Sequence, residues 1–137
     1  MKFSVTTFAL LVALSMTVGC SPKQTEFHIV QTSPPPGATN GFVIHLQGGF
    51  DQSRETIITV DGREVYRGSP KTNPLLGLAG TVSVSATSAH PVVTLKVPAG
   101  GVDWSKKIDL KEGAALGISV NTNGQIRFSQ RGGFGYD

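Results

Sequence analysis

The stretch Thr56-Ile57-Ile58-Thr59-Val60-Asp61-Gly62-Arg63-Glu64-Val65-Tyr66-Arg67 decides the fold class. Two runs rich in β-branched and aromatic residues flank an Asp-Gly pair. Asp-Gly supplies the two positive φ angles that a type I′ hairpin turn needs. The stretch predicts a β-hairpin. Downstream, Val82, Val84 and Ala86 alternate with Thr81, Ser83, Ser85 and Thr87, a half-buried strand with a hydroxyl-bearing outer face. Val93, Leu95 and Val97 repeat the pattern, with Thr94 and Lys96 facing out. Val102, Trp104, Ile108 and Leu110 share a further face, which Lys106 interrupts. Leu116, Ile118 and Val120 precede the turn signal Asn121-Thr122-Asn123-Gly124, after which Ile126 and Phe128 alternate with Arg127 and Ser129.

Upstream of the hairpin, Phe42-Val43-Ile44-His45-Leu46 is an apolar run ending at Gly48-Gly49. Strand-like patterning begins at Glu26-Phe27-His28-Ile29-Val30, and Pro34-Pro35-Pro36-Gly37 is a rigid polyproline turn between these two strands. Nowhere from Cys20 onward do apolar residues hold a 3.6-residue period beyond two turns. The expectation is an all-β domain of about eight or nine short strands. It would be an antiparallel β-sandwich (immunoglobulin-like or transthyretin-like) or a small barrel.

Composition narrows the function classes. The chain of 137 residues has room for one domain and a short leader. It carries 12 Lys+Arg against 9 Asp+Glu, and loss of Lys2 with a leader leaves 11 against 9. That balance is too even and too dispersed for a nucleic-acid face, which needs clustered cations. Charged residues are only 15%, which argues against a disordered chain, and 17 glycines with 8 prolines point to many turns.

The N-terminus reads as an address. Met1-Lys2 is a short positive start, Phe8-Ala9-Leu10-Leu11-Val12-Ala13-Leu14 an apolar core, and Ser15-Met16-Thr17-Val18-Gly19-Cys20 a small-residue exit. These are the ordered parts of a secretory signal, and the apolar core falls short of the ~20 residues of a membrane span. Thr17-Val18-Gly19-Cys20 resembles the bacterial lipobox, with Thr17 standing where Leu is most often found. The resemblance covers the first 20 or so residues. It implies cleavage before Cys20 and two or three acyl chains, palmitate among them, on that residue. Lipidation also explains a lone cysteine in an exported chain. Ser21 after the cysteine, in place of the aspartate of the enteric retention rule, implies the periplasmic face of the outer membrane if the host has one.

The expected organisation is therefore a signal peptide at 1–19, a lipidated tether at 20–25, the β domain at 26–129 and a tail at 130–137. The tether is short and holds the domain close to the bilayer, since no long Gly/Ser or Pro spacer is present. Val60-Asp61-Gly62-Arg63-Glu64-Val65-Tyr66-Arg67-Gly68 and Phe134-Gly135-Tyr136-Asp137 resemble stretches of small uncharacterised bacterial lipoproteins.

Chemistry-bearing clusters are sparse. No Gly-x-Ser-x-Gly elbow occurs, and no paired carboxylates stand out among nine scattered acids. His28 and His45 sit on strands that could be neighbours, and His90 precedes Pro91, but no His-x-His or His-x-x-x-His spacing suits zinc. Neither an enzyme, a metal site nor a cofactor is expected. Residues 69–80, Pro-bounded and carrying Leu75, Leu76 and Leu78, form either a partner contact or a plug for one end of the domain. The tail aromatics Phe134 and Tyr136 either fray or dock on the sheet. Two roles remain open. One is an accessory envelope lipoprotein acting through a protein partner; the other is a tethered carbohydrate-binding module using Trp104 or Tyr66 as a stacking platform. A buried Trp104 favours the first.

Overall fold

The computed structural model describes residues 28–135. Among these residues nine strands run in chain order: β1 (His28–Gln31), β2 (Asn40–Leu46), β3 (Thr56–Val60), β4 (Arg63–Gly68), β5 (Gly80–Ala86), β6 (Val92–Val97), β7 (Val102–Lys107), β8 (Ala115–Val120) and β9 (Ile126–Arg131). They form a five-stranded sheet, β1-β5-β2-β8-β9, and a four-stranded sheet, β4-β3-β6-β7. The two sheets share one hydrophobic core. This is an all-β sandwich, and neither sheet closes on itself.

The Asp61-Gly62 hairpin joins β3 to β4 with φ of 50° and 79° at its two central residues, the signature of a type I′ turn. Asp61 also pins the turn to the next strand of the sheet. Its carboxylate accepts the Val92 N–H at 2.8 Å, and its own N–H donates to the Val92 carbonyl at 2.9 Å. A bulge follows: Ile58 pairs with Tyr66 and Thr59 with Glu64, so Val65 has no partner residue across the pair. The extra residue turns two consecutive side chains inward, and both Val65 and Tyr66 are buried.

The four-stranded sheet is wholly antiparallel, but the five-stranded one is mixed. β1 runs parallel to β5, and β2 parallel to β8. The first pair follows from the proline arch. β1 and β2 run in opposite directions with a one-strand gap between them, and β5 fills the gap antiparallel to β2. Pro34-Pro35-Pro36 cannot donate to a ladder, so the arch bridges without competing for the sheet. Its two feet do donate to β5, Thr32 N–H to Ser83 and Thr39 N–H to Ala86, each at 3.2 Å.

Period-2 alternation puts Ile44, Leu46, Val82, Leu116 and Ile118 on the inner face of one sheet, against Ile58, Val93 and Leu95 of the other. All eight are no more than 1% exposed. Each such side chain contributes roughly 1.5–3 kcal/mol of burial. Ile108, just past β7, is buried like the strand residues; Leu110 begins a 3-10 turn (Leu110–Glu112) and is only half-buried.

Two devices close the open edges. At one, Trp104 of β7 packs on Phe128 of β9 with ring centroids 5.5 Å apart, and the Lys106 ammonium lies 4.4 Å from the centre of the Phe128 ring. Lys106 thus extends the Trp104 face, its ammonium held over the Phe128 ring. At the other edge Arg63 donates to the Ser33 carbonyl at 2.9 Å and the Ser85 carbonyl at 3.2 Å, tying β4 to the opposite sheet. Arg63→Ala should lower stability by about 1–2 kcal/mol, the size of a charge-assisted bond pair that is partly exposed. Urea unfolding checks this, and Arg63→Lys, lacking the forked donor, should recover little of the loss.

Candidate functional site

The outer face of the five-stranded sheet carries a groove of about 590 Å³. Alternation builds its floor. With Phe42, Ile44 and Leu46 turned inward, β2 shows Gly41, Val43 and His45 outward, and β5 adds Ser83 and Ser85. Small residues leave the floor low, and Gln31 of β1 stands along one side. The far wall is the tail: Gly132-Gly133 cross the face and bring Phe134 onto it. The Phe134 ring meets the His45 imidazole edge-on, with centroids 5.1 Å apart and planes at 61°. Arg131 stacks on this ring, its guanidinium 5.5 Å from the Phe134 centroid. Burial holds the His45 imidazole below its ordinary pKa, so the neutral ring is favoured. Beside His45 the groove is lined by the Ser83 and Ser85 hydroxyls, the Gln31 amide, Val43 and the Phe134 ring.

The groove runs along most of the sheet's length. It extends from the Gly41–Ser85 pair, at the end remote from His28, through Val43, Ser83 and Gln31 in the middle. It reaches His45, which pairs with Thr81 one residue from the His28–Gly80 pair.

The leucines of residues 69–80 divide. Leu78 is 2% exposed and joins the interior, whereas Leu75 is 89% and Leu76 41% exposed. The loop is firmly built. Thr72 donates its hydroxyl to the Gln47 carbonyl at 2.9 Å and accepts the Phe50 N–H at 3.0 Å. The Asn73 side-chain oxygen accepts the N–H groups of Leu75 and Leu76, at 2.9 and 3.3 Å. Asn73 also pairs with Leu78 across the loop neck, its N–H donating at 2.9 Å. Pro74-Leu75-Leu76-Gly77 is thereby held out as a fixed tip.

The remaining sequence candidates fall elsewhere. β5 runs between the strands that carry His28 and His45. His90 sits in a turn, its Nδ1 3.7 Å from the Asp109 carboxylate. Among the described residues no three His, Cys, Asp or Glu side chains group to hold a metal ion. Trp104 is half-buried against the core and Phe128, and Tyr66 is 6% exposed. The Tyr66 hydroxyl sits so close over Gly68 that a Cβ there would come within 2.8 Å of it. Burial raises the phenol pKa. Cys20, Tyr136 and the signal stretch lie outside the described residues.

The groove itself escaped sequence reading. Thr81, Ser83 and Ser85 look like ordinary solvent-facing hydroxyls, and only the aromatic tail hinted that something covers this face. No family model matches the chain, and no curated protein or solved structure is significantly similar to it.

Proposed function

We propose that the chain is a lipid-anchored lipoprotein of the bacterial cell envelope that holds an extended segment of a protein partner in its outer-face groove. The observation that carries this reading is the groove itself, which runs along the outer face of the five-stranded sheet from His45 to the Gly41–Ser85 pair at the end of the sandwich remote from His28. A domain attached through Cys20 presents that end away from the bilayer. Ser21 favours the outer membrane's periplasmic face where the host has one. Support for protein contact over sugar stacking comes from the aromatics: Trp104 packs on Phe128, and Tyr66 is enclosed. The low floor of Gly41, Val43, Ser83 and Ser85 accepts a backbone at close range, and its hydroxyls can pair with main-chain amides.

Site-specific photo-crosslinking tests this in intact cells. A photoreactive residue at Ser83 should yield a defined adduct, and one at Lys96, exposed on the other sheet, should not. Ser83→Arg, which fills the groove without touching the core, should reduce co-purification of the adduct partner at least about tenfold, a loss of about 1.4 kcal/mol. Equal crosslinking from both positions would remove the groove from consideration.

A further inference from the structure

We infer that Leu75 and Leu76 form a second membrane contact, an apolar tip that enters the bilayer holding the acyl chains. The inference rests on the anchoring at Cys20 proposed above. β1 begins at His28, and its parallel pairing places His28 opposite Gly80, the first residue of β5. Residues 69–79 run directly into Gly80, so the tip and the arriving tether share one end of the sandwich. Seven residues separate Cys20 from His28, a reach of at most about 29 Å. Leu76 is four residues from Gly80, within about 14 Å of it, and β1 is one strand spacing of about 4.8 Å away. The tip thus lies inside the radius at which the tether holds the domain.

The tip is also suited to an apolar medium. Backbone N–H groups entering lipid need partners, because no water is there to supply them. The N–H groups of Asn73, Leu75, Leu76 and Gly77 all have partners inside the loop, and Pro74 has none to satisfy. Thr72 and buried Leu78 fix the base, so no ordering is required when the tip inserts. Two leucines, 89% and 41% exposed, on a preformed and internally bonded loop are what such a contact needs.

The test uses full-length Leu75→Cys, purified from membranes, spin-labelled at the new thiol and reconstituted in phosphatidylethanolamine–phosphatidylglycerol vesicles. Cys20 is the only natural cysteine and, acylated, does not compete for label. Thr87→Cys, exposed at the opposite end, is the reference. With the protein floating on the vesicles, the label at 75 should show an oxygen-to-nickel-chelate accessibility ratio several-fold above that at 87. The difference should persist in 1 M salt, because the contact is apolar. A floating protein with a water-exposed label at 75 overturns the contact alone. A label shielded from both reagents places the tip against protein and also overturns it. Failure to float overturns the anchor, and the contact with it.

Discussion

Gly49→Ala should be among the most damaging single substitutions in the domain, costing about 3–5 kcal/mol of a total near 5–15. Gly49 follows β2 where the chain leaves the five-stranded sheet for β3, and it has φ of +86°. A non-glycine residue in that region already costs about 1–2 kcal/mol. The greater part of the cost is steric. A Cβ there would stand 1.6 Å from the Val120 carbonyl oxygen, and backbone cannot yield as a flexible side chain would. The neighbouring backbone is tied down too, with Gln47 N–H donating to Ile118 at 2.8 Å and Val120 N–H to Gly48 at 2.9 Å. The parallel β2–β8 pairing would have to open to admit the methyl group. Gly48→Ala is the control, since a Cβ there meets nothing within 4 Å. Urea midpoints should separate the two variants widely, and equal midpoints would mean that β2 does not leave the sheet as described.

Cys20→Ser should abolish lipid labelling and move the protein from the membrane to the soluble fraction. Each buried methylene of an acyl chain contributes roughly 0.8 kcal/mol, so one chain holds marginally and two or three hold firmly. Removing them all lowers the partition constant by many orders of magnitude. Leu75 and Leu76 cannot compensate, since two inserted leucines supply only about 1.5–3 kcal/mol each. The variant should therefore be released even though the tip is intact. Fractionation with metabolic palmitate labelling reads both effects, and undiminished labelling of the serine variant would remove the lipobox reading.

Much of the fold was legible because period-2 alternation and one Asp-Gly turn report local geometry. Val82, Val84 and Ala86 point inward as their spacing implies, and so do Val93, Leu95 and Val97. What escaped was non-local. The bulge opposite Ile58 and Thr59 buries Tyr66 beside Val65, and strict alternation sends one of such a pair outward. The parallel pairs depend on β5 entering between β1 and β2, which no local pattern encodes. Asn123-Gly124 marks a turn, but of another type. Gly124 alone is left-handed there, its N–H donating to Asn121, whose side chain caps the N–H groups of Asn123 and Gln125. The loop leucines divide for a similar reason: Leu78 is carried inward as the chain closes on Gly80, whereas Leu75 and Leu76 occupy the tip. The groove arises from what is small on the outer face, Gly41, Ser83 and Ser85, together with a tail that returns from β9. Absence of bulk becomes a feature only once the neighbouring strands are known.

Mass spectrometry of the mature protein extracted from membranes bears on all of this at once. The N-terminal residue should be Cys20 carrying a diacylglycerol group and one or more further acyl chains. A mature N-terminus elsewhere, or an unmodified Cys20, would contradict the anchor and leave the proposed orientation of the groove and of the Leu75-Leu76 tip without a basis.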